Sequence, residues 1–354
     1  MPQIPTGPVR CILAGMGGVT QEMLRTLTTF DWFAPVAVVD PREEARLAAG
    51  RDLGLPPEAL FPNLAAAIAS VPADAAIINT PSEYHYDLTV LALEAGLHAL
   101  VAKPVTNDFA QAVALADLAD ARGVTLAVGQ QMRYRNHYEQ VARFVREGRL
   151  GVPQWINFIN TKPRPKALNL ATMTQPALYE TSCHHFDCLM AIVPDNAPEW
   201  ISCDGFLPAW SPYAGPCMVN AAIRFDGNLH VLYQGGFSSL ADSYELRIEG
   251  TGGALRCRGV HMSKDAMTYE FAEPLGAWTP LDLEAGLPPS DPWRTLLTLW
   301  RRHLAGEIDP PFSGRNNLRP FALLSAGVTS VETGLPVEIG PGTPYDIAFG
   351  GTDA

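Results

Sequence analysis

The segment YETSCHHFDC, residues 179–188, carries two Cys, two His, one Glu and one Asp in ten positions. On a helix with about 100° per residue, Glu180, His184 and Asp187 fall within about 60° of one another, while His185 points elsewhere. A histidine titrates near neutral pH, and a carboxylate one turn away can fix its tautomer and stabilise its protonated form. The spacing therefore predicts acid/base catalysis by His184 with the help of Glu180.

The same segment allows two other interpretations. Cys183 and Cys188 flank the helical stripe on opposite sides, so the potential ligands do not converge as a tetrahedral zinc site requires, and we predict no metal. A buried structural histidine, paired with Glu180 inside the core, stays open as an alternative.

A second candidate is the glycine-rich segment AGMGGVT, residues 14–20, which follows a predicted strand and opens a predicted helix. Gly15 permits a tight turn, and Gly17 lets the backbone approach a pyrophosphate at the helix N-terminus. Thr20 occupies the third glycine position of the dinucleotide fingerprint and admits a wider helix-to-strand separation. A plain turn is the alternative. The residues predicted to contact the cofactor here are Gly15, Met16, Gly17, Gly18 and Val19.

Asp40 ends the second predicted strand, 25 residues after Gly15 (40 − 15). A carboxylate there accepts hydrogen bonds from the adenosine ribose hydroxyls and repels a 2′-phosphate. We therefore predict NAD rather than NADP, although the cation of Arg42 softens that preference.

Lys103 lies at the end of another predicted strand, and ligands bind at the carboxyl ends of strands in open α/β sheets. Pro104 restricts Lys103 to extended backbone. An ammonium group in that position can hydrogen-bond an alcohol oxygen, stabilise alkoxide charge and help relay a proton. A solvated surface lysine is the alternative.

The elements that must position these residues change character near residue 135. Before it, buried β-branched strands alternate with helical patterns, which predicts a doubly wound parallel sheet in a Rossmann domain, residues 1–134. After it, alternating patterns and a turn at Asp226-Gly227 predict an α+β domain with an open, mostly antiparallel sheet, residues 135–354. Residues 291–305 predict a helix with a core-facing stripe formed by Trp293, Leu296, Leu297, Trp300 and Leu304.

Composition bounds the possible partners. The 354 residues suffice for about two domains, and 25 Lys and Arg against 37 Asp and Glu give a net charge of −12. That charge argues against nucleic acid or an anionic membrane as partner. Without a long apolar segment or a signal-peptide pattern, we expect a cytoplasmic protein. The six Cys contain no CxxC pair and are expected to be reduced thiols.

Five segments together resemble the Gfo/Idh/MocA family, named for glucose-fructose oxidoreductase, inositol dehydrogenase and a rhizopine-catabolism protein. They are, in chain order, NTPSEYHYDLTVLALEAGLHALVAKP (79–104), VGQQMRYRNHY (128–138), ETSCHHFD (180–187), ELRIEGTGGALR (245–256) and LLSAGVTSVETGLPVEI (323–339). The resemblance implies bound NAD(P), a sugar or cyclitol substrate, and an open sheet used in oligomer contacts. Two positions depart from the family pattern: Ala102 replaces a glutamate, and Glu180 replaces the commoner aspartate.

The resemblance also implies residue roles. The family's catalytic triad falls on Lys103, Glu180 and His184. Further cofactor contacts fall on Thr80, Pro81, His85, Ala102 and Lys103. The expected substrate-side residues are Arg133, Tyr134, Lys162 and Asp187. Arg133 could instead form a structural ion pair, and Asp187 could anchor the helix.

The sequence thus predicts an NAD(H)-dependent oxidoreductase acting on a secondary hydroxyl or ketone of a sugar, cyclitol or related polyol, as a homodimer or homotetramer. Two alternatives remain. A redox-neutral enzyme could use tightly held NAD to cleave glycosides, and a regulator could bind NAD without catalysis. Ala102 favours the regulator, whereas the Lys103, Glu180 and His184 set argues against it.

Overall fold

The computed structural model describes residues 7–165, 173–264 and 266–350. They divide into two compact units. The first contains the residues up to Gln131 together with Pro292–Leu318, and the second contains Met132–Asp291 and the residues from Arg319 onward. The sequence predicted two domains that are each contiguous in the chain, residues 1–134 and 135–354, and that boundary stays a prediction.

Within the described residues, the first unit has a six-stranded parallel sheet. Its strands are Val9–Ala14 (β1), Phe33–Val39 (β2), Leu60–Phe61 (β3), Ala75–Ile78 (β4), His98–Val101 (β5) and Leu126–Val128 (β6). The helices between them are Gly18–Leu27 (α1), Glu43–Leu53 (α2), Leu64–Ser70 (α3), His85–Glu94 (α4) and Phe109–Arg122 (α5). Every residue of β4 and β5 is buried, as expected for strands covered on both faces.

The strand order is β3-β2-β1-β4-β5-β6. The chain therefore reverses its direction of winding between β1 and β4, and such a switch point is where nucleotides bind in doubly wound sheets. The Rossmann prediction is confirmed. The hydrophobic pattern of the sequence did not predict two elements. They are β3, which has two residues, and α3, whose N-terminus is capped by the Asn63 side chain.

The second sheet has nine strands among the described residues, in the order β14-β13-β12-β11-β7-β10-β9-β8-β15. They are Pro153–Pro163 (β7), Pro198–Phe206 (β8), Met218–Phe225 (β9), Leu229–Gly236 (β10), Ser238–Gly250 (β11), Gly253–Gly259 (β12), Thr268–Ala272 (β13), Thr279–Leu281 (β14) and Val337–Glu338 (β15). Only β7 and β10 pair in parallel among these strands; the other pairs are antiparallel, which confirms the predicted sheet type.

The remaining helices are Asn136–Arg146 (α6), Cys183–Ile192 (α7), Pro292–Leu304 (α8) and Leu318–Thr333 (α9). The predicted stripe of α8 is buried, and its Trp300 ring stacks on Phe33 of β2 with 5.1 Å between ring centroids. In the second unit, the buried Phe158 ring lies among the rings of Tyr138, Tyr233 and Tyr244. Tyr138 belongs to α6, and His185 and Phe186 of α7 contact the rings of Phe158 and Tyr233, so both helices contribute to this part of the core.

Candidate active site

The turn after β1 has the geometry of a dinucleotide loop. Gly15 has a φ of 87°, and a Cβ added there would lie 2.6 Å from the Asn79 carbonyl oxygen, so only glycine fits. A Cβ added at Gly17 or Gly18 would meet no described atom within 4 Å. The backbone at the start of α1 thus faces open space of the kind that a pyrophosphate needs.

Thr20 explains how this loop functions without its third glycine. The side chain is fully buried, and its hydroxyl donates a hydrogen bond to the Gly15 carbonyl oxygen. The bond joins the first turn of α1 to Gly15, the first residue of the loop after β1. Thr20 therefore fixes the loop geometry from within.

Asp40 follows β2, and both of its carboxylate oxygens are occupied. They accept hydrogen bonds from the Met16 N–H at 2.9 Å and from Arg42 through its backbone N–H at 3.0 Å, Nε at 3.0 Å and Nη2 at 2.9 Å. Burial raises the pKa of Asp40, but the hydrogen bonds from Arg42 and Met16 outweigh this effect and hold the pKa below its ordinary value. A ribose diol could bond to this carboxylate if the exposed Arg42 side chain moved away.

His85 connects the segments that follow β4 and β5. Its Nδ1 lies 2.7 Å from the Pro104 carbonyl oxygen and its Nε2 lies 2.8 Å from that of Thr80. Burial, with a smaller contribution from the charge of Lys103, lowers the pKa of His85 and outweighs the hydrogen bonds to the two carbonyl oxygens, which raise it. His85 thus joins the segment after β4, at Thr80, to the residue that follows Lys103.

The other predicted cofactor residues lie at the same edge of the sheet. Lys103 is half-buried two positions beyond β5, and the preceding Ala102 is buried, with its N–H bonded to the Ile78 carbonyl. The Thr80 hydroxyl is buried and has no hydrogen-bond partner among the described residues. The Gly15 loop, Asp40, Thr80 and Lys103 therefore follow β1, β2, β4 and β5 at their carboxyl ends, and the residues present fit a dinucleotide.

In the second unit, the regular helical spacing considered for residues 179–188 does not hold over the whole segment. Leu178–Ser182 form a π-helical turn, and α7 begins only at Cys183. A π turn has i→i+5 hydrogen bonds, so the 100° spacing does not apply between Glu180 and His184. Such turns are frequent at functional sites.

The Glu180 carboxylate contacts a residue that the sequence reasoning missed. Its Oε1 lies 3.2 Å from Arg164 Nη1. Arg164 follows β7 and lies two positions after Lys162, and both cations lie over the Phe237 ring, at 5.4 and 5.8 Å from its centroid. The signal for Arg164 was this spacing, because residues i and i+2 of a strand share a face. His184 is 8% exposed, in the first turn of α7.

Arg133 and Asp187 are paired with each other. Arg133 Nε lies 3.4 Å from Asp187 Oδ2, and Arg133 Nη2 donates to the Asp187 carbonyl oxygen at 3.2 Å. Both side chains are buried; burial raises the pKa of Asp187 to about 6, against the opposing charge of Arg133. The ion pair anchors α7, and a substrate contact by either residue stays a prediction. Neighbouring Tyr134 is mostly buried, and its pKa is raised by that burial.

Three further findings concern metal ligands, cysteines and membrane-spanning helices. The described part of the chain contains no group of three or more His, Cys, Asp or Glu side chains that could hold a metal ion, and the prediction of no metal stays a prediction. All six Cys lie within the described ranges, are buried and are free. None of the helices in those ranges is both long and apolar enough to cross a membrane.

The chain is similar to several known proteins. D-apiose dehydrogenase from Paraburkholderia graminis is 26% identical over 358 aligned positions, which cover 92% of this chain and 88% of that protein. An inositol dehydrogenase homologue from Azotobacter vinelandii, solved with NADH and myo-inositol, has a TM-score of 0.80 at 18% identity, covering 94% of this chain and 98% of that one. The WlbA dehydrogenase from Bordetella pertussis, solved with NADH and UDP-GlcNAcA, has a TM-score of 0.81 at 20% identity, covering 95% and 99%.

The match to a family model falls on the unit that carries the glycine loop. Residues 9–130 match the model of the oxidoreductase family with an NAD-binding Rossmann fold, Gfo/Idh/MocA. This range contains the loop, Asp40 and Lys103, so the sequence resemblance and the geometry of the sheet agree. Over residues 9–130, the chain is therefore similar to the Gfo/Idh/MocA oxidoreductases.

Proposed function

We propose that this protein is an NAD(H)-dependent oxidoreductase that interconverts a secondary hydroxyl and a ketone of a sugar, cyclitol or related polyol. The observation that carries the proposal is the open backbone at Gly17, with Asp40 and Lys103 at the carboxyl edge of the same sheet. Relatives named as D-apiose dehydrogenase and inositol 2-dehydrogenase support the substrate class.

Nicotinamide, when bound, would supply the acceptor for a hydride that leaves the alcohol carbon. In this proposal His184 accepts the proton of the same hydroxyl, and Lys103 donates a hydrogen bond to its oxygen and stabilises developing alkoxide charge. Glu180, held by Arg164, stabilises the His184 imidazolium. Arg133, Tyr134, Lys162 and Asp187 are proposed to contact the other substrate groups.

The finer assignments follow the same reasoning. Asp40 favours NAD over NADP by repelling a 2′-phosphate, while Arg42 offers a cation that could hold one. The proposed cofactor contacts run through Gly15–Val19, Thr80, Pro81, His85 and Ala102. We also propose self-association as a homodimer or homotetramer and a cytoplasmic location, without a nucleic-acid or membrane partner.

The test is a dehydrogenase assay over monosaccharides, inositols and glycosides with NAD and NADP in parallel. Lys103→Met and His184→Asn should each lower kcat/KM by about three or more orders of magnitude, because each removes a group that acts on the reacting oxygen. His230→Asn, which changes an exposed histidine on β10, serves as the matched control.

Three outcomes would contradict the proposal. Retained turnover in both Lys103→Met and His184→Asn would remove the assigned chemistry. Binding of NADH by the wild type without turnover of any substrate in the panel would favour a regulator. Product formation without net NADH would instead favour the redox-neutral cleavage of glycosides.

A further inference from the structure

The second histidine of the 179–188 segment has no part in the proposed mechanism, yet it is completely buried. His185 Nδ1 lies 2.6 Å from the Tyr233 hydroxyl oxygen, and its Nε2 lies 2.6 Å from Asn160 Nδ2. Met262 Sδ, at 3.0 Å, and Thr181 Oγ1, at 3.4 Å, also lie near Nε2. A histidine with both ring nitrogens engaged has a defined tautomer, and its neighbours determine which one.

The direction of these hydrogen bonds follows from Ser182, which lies next to Tyr233 at the other end of the hydrogen-bonded series. The Ser182 hydroxyl donates to the Ala177 carbonyl oxygen at 3.1 Å, and a carbonyl can only accept. The Ser182 hydroxyl has a single proton, and the bond to Ala177 uses it. Ser182 Oγ therefore accepts a hydrogen bond from the Tyr233 hydroxyl, which lies 2.8 Å away. Burial raises the pKa of Tyr233, which keeps that hydroxyl protonated.

The same logic fixes the histidine. Since the Tyr233 proton points to Ser182, the Tyr233 oxygen accepts from His185 Nδ1–H. A neutral ring then leaves Nε2 as an acceptor, and Asn160 presents its amide N–H to it. All bonds therefore run one way, from Asn160 through His185, Tyr233 and Ser182 to the Ala177 carbonyl.

These residues join the sheet to the π turn. Asn160 lies on β7 and Tyr233 on the neighbouring strand β10, while Ser182 ends the turn and Ala177 precedes it. Gly235 is part of the arrangement, because a Cβ added there would overlap the Tyr233 hydroxyl. The chain thus holds both ends of the turn that carries Glu180.

We infer that the Asn160–His185–Tyr233–Ser182 hydrogen-bond chain is a positioning device that keeps residues 178–182 in the π conformation and so sets Glu180 relative to His184. The inference rests on the proposed function for its catalytic meaning. Tyr233 and His185 are positioning residues, since they act through the turn and not on the substrate.

The test compares two buried tyrosines of the same aromatic cluster. Tyr233→Phe breaks the chain, whereas Tyr244→Phe removes a hydroxyl from the same cluster that is not a member of the chain. We expect Tyr233→Phe to lower kcat about 10- to 100-fold, as a small misplacement of a catalytic group does, with KM and NADH binding close to wild type. The pH profile of kcat should shift as well, because the position of Glu180 relative to His184 changes. Tyr244→Phe should leave both unchanged.

Gly235→Ala is a second route to the same result, because it displaces the hydroxyl while keeping the tyrosine. Equal kcat values for Tyr233→Phe, Gly235→Ala and wild type, or an equal loss in Tyr244→Phe, would overturn the inference.

A measurement without turnover separates this inference from the proposed function. In ¹⁵N-histidine-labelled wild type, with His185→Gln used for assignment, the His185 signals should show a protonated Nδ1 and an unprotonated Nε2. The opposite tautomer would overturn the inference and leave the proposed function intact. A wild type with this tautomer but without turnover would overturn the proposed function and, with it, the catalytic meaning of the chain.

Discussion

The Asp40 carboxylate accepts four hydrogen bonds, and three of them come from Arg42. An aspartate at the end of the second Rossmann strand is a signal for NAD, yet here the neighbouring cation occupies it. The Arg42 side chain is 66% exposed, so the cost of moving it is small. We therefore expect cofactor preference at this position to depend on both residues and not on the aspartate alone.

We predict that Arg42→Ala widens the preference for NAD. The change frees two side-chain bonds on Asp40 for the ribose and removes a cation that could hold a 2′-phosphate. We expect kcat/KM with NADP to fall about tenfold, a change of about 1.4 kcal/mol, with the value for NAD unchanged or higher. Arg46→Ala is the matched control, because Arg46 bonds only to the Asp40 and Pro41 carbonyl oxygens in the described structure. An equal loss with both cofactors would contradict the prediction.

At the scale of elements, α8 shows how a distant segment completes the first unit. It lies about 160 residues after β6 in the chain, yet its Trp300 ring stacks on Phe33 and is fully buried. Trp293 packs near Gly129, the residue after β6. The amphipathic pattern of α8 predicted a buried face but could not identify the surface that covers it.

Trp300→Ala should therefore destabilise the nucleotide-binding unit. Removing a fully buried indole leaves a large cavity, and we expect a loss of about 3–5 kcal/mol in the free energy of unfolding. Denaturant unfolding followed together with NADH binding would measure it. Trp32→Ala, at a 41% exposed position in the same unit, should cost much less. Similar costs for the two variants would show that α8 does not support this unit.

For the whole molecule, buried titratable groups predict how stability depends on pH. Burial lowers the pKa values of His98, His137 and His261 to about 4, 3 and 3. Between pH 6.5 and 4 the unfolded chain therefore binds protons that the folded chain does not, so stability is lost as the pH falls. Asp187 acts in the opposite sense, because its pKa is raised to about 6 and the folded chain takes up its proton first. The three histidines outweigh Asp187, so the net effect is a loss of stability as the pH falls.

We expect the free energy of unfolding to fall between pH 6 and pH 4.5, with a slope on the order of 1–3 kcal/mol per pH unit. Urea unfolding at several pH values measures this slope. His137→Asn should reduce this slope by the contribution of about one bound proton. Neither ring nitrogen of His137 has a hydrogen-bond partner in the described part of the chain. A flat profile, or an unchanged slope in His137→Asn, would contradict the assignment.

The sequence determined the features that depend on local pattern. Alternating strands and helices with a glycine turn after β1 indicated the Rossmann unit, because hydrophobic period and turn residues act over a few positions. The hairpin at Asp226-Gly227 followed from the same local rules and is present as β9 and β10. Asp40 and Lys103 were predictable because strand ends place side chains at one edge of a parallel sheet.

Only the tertiary structure decided what depends on partners distant in sequence. The π turn at Leu178–Ser182 has no signature in its own residues, because Tyr233 and Asn160, on strands remote in the chain, contribute to the hydrogen bonds around it. The pairing of Arg133 with Asp187, and of Arg164 with Glu180, likewise depends on how separate segments fold together. Local propensity determines where a helix or strand forms, whereas long-range packing determines which polar groups pair. Pairing is required because a buried polar group without a hydrogen-bond partner is destabilising.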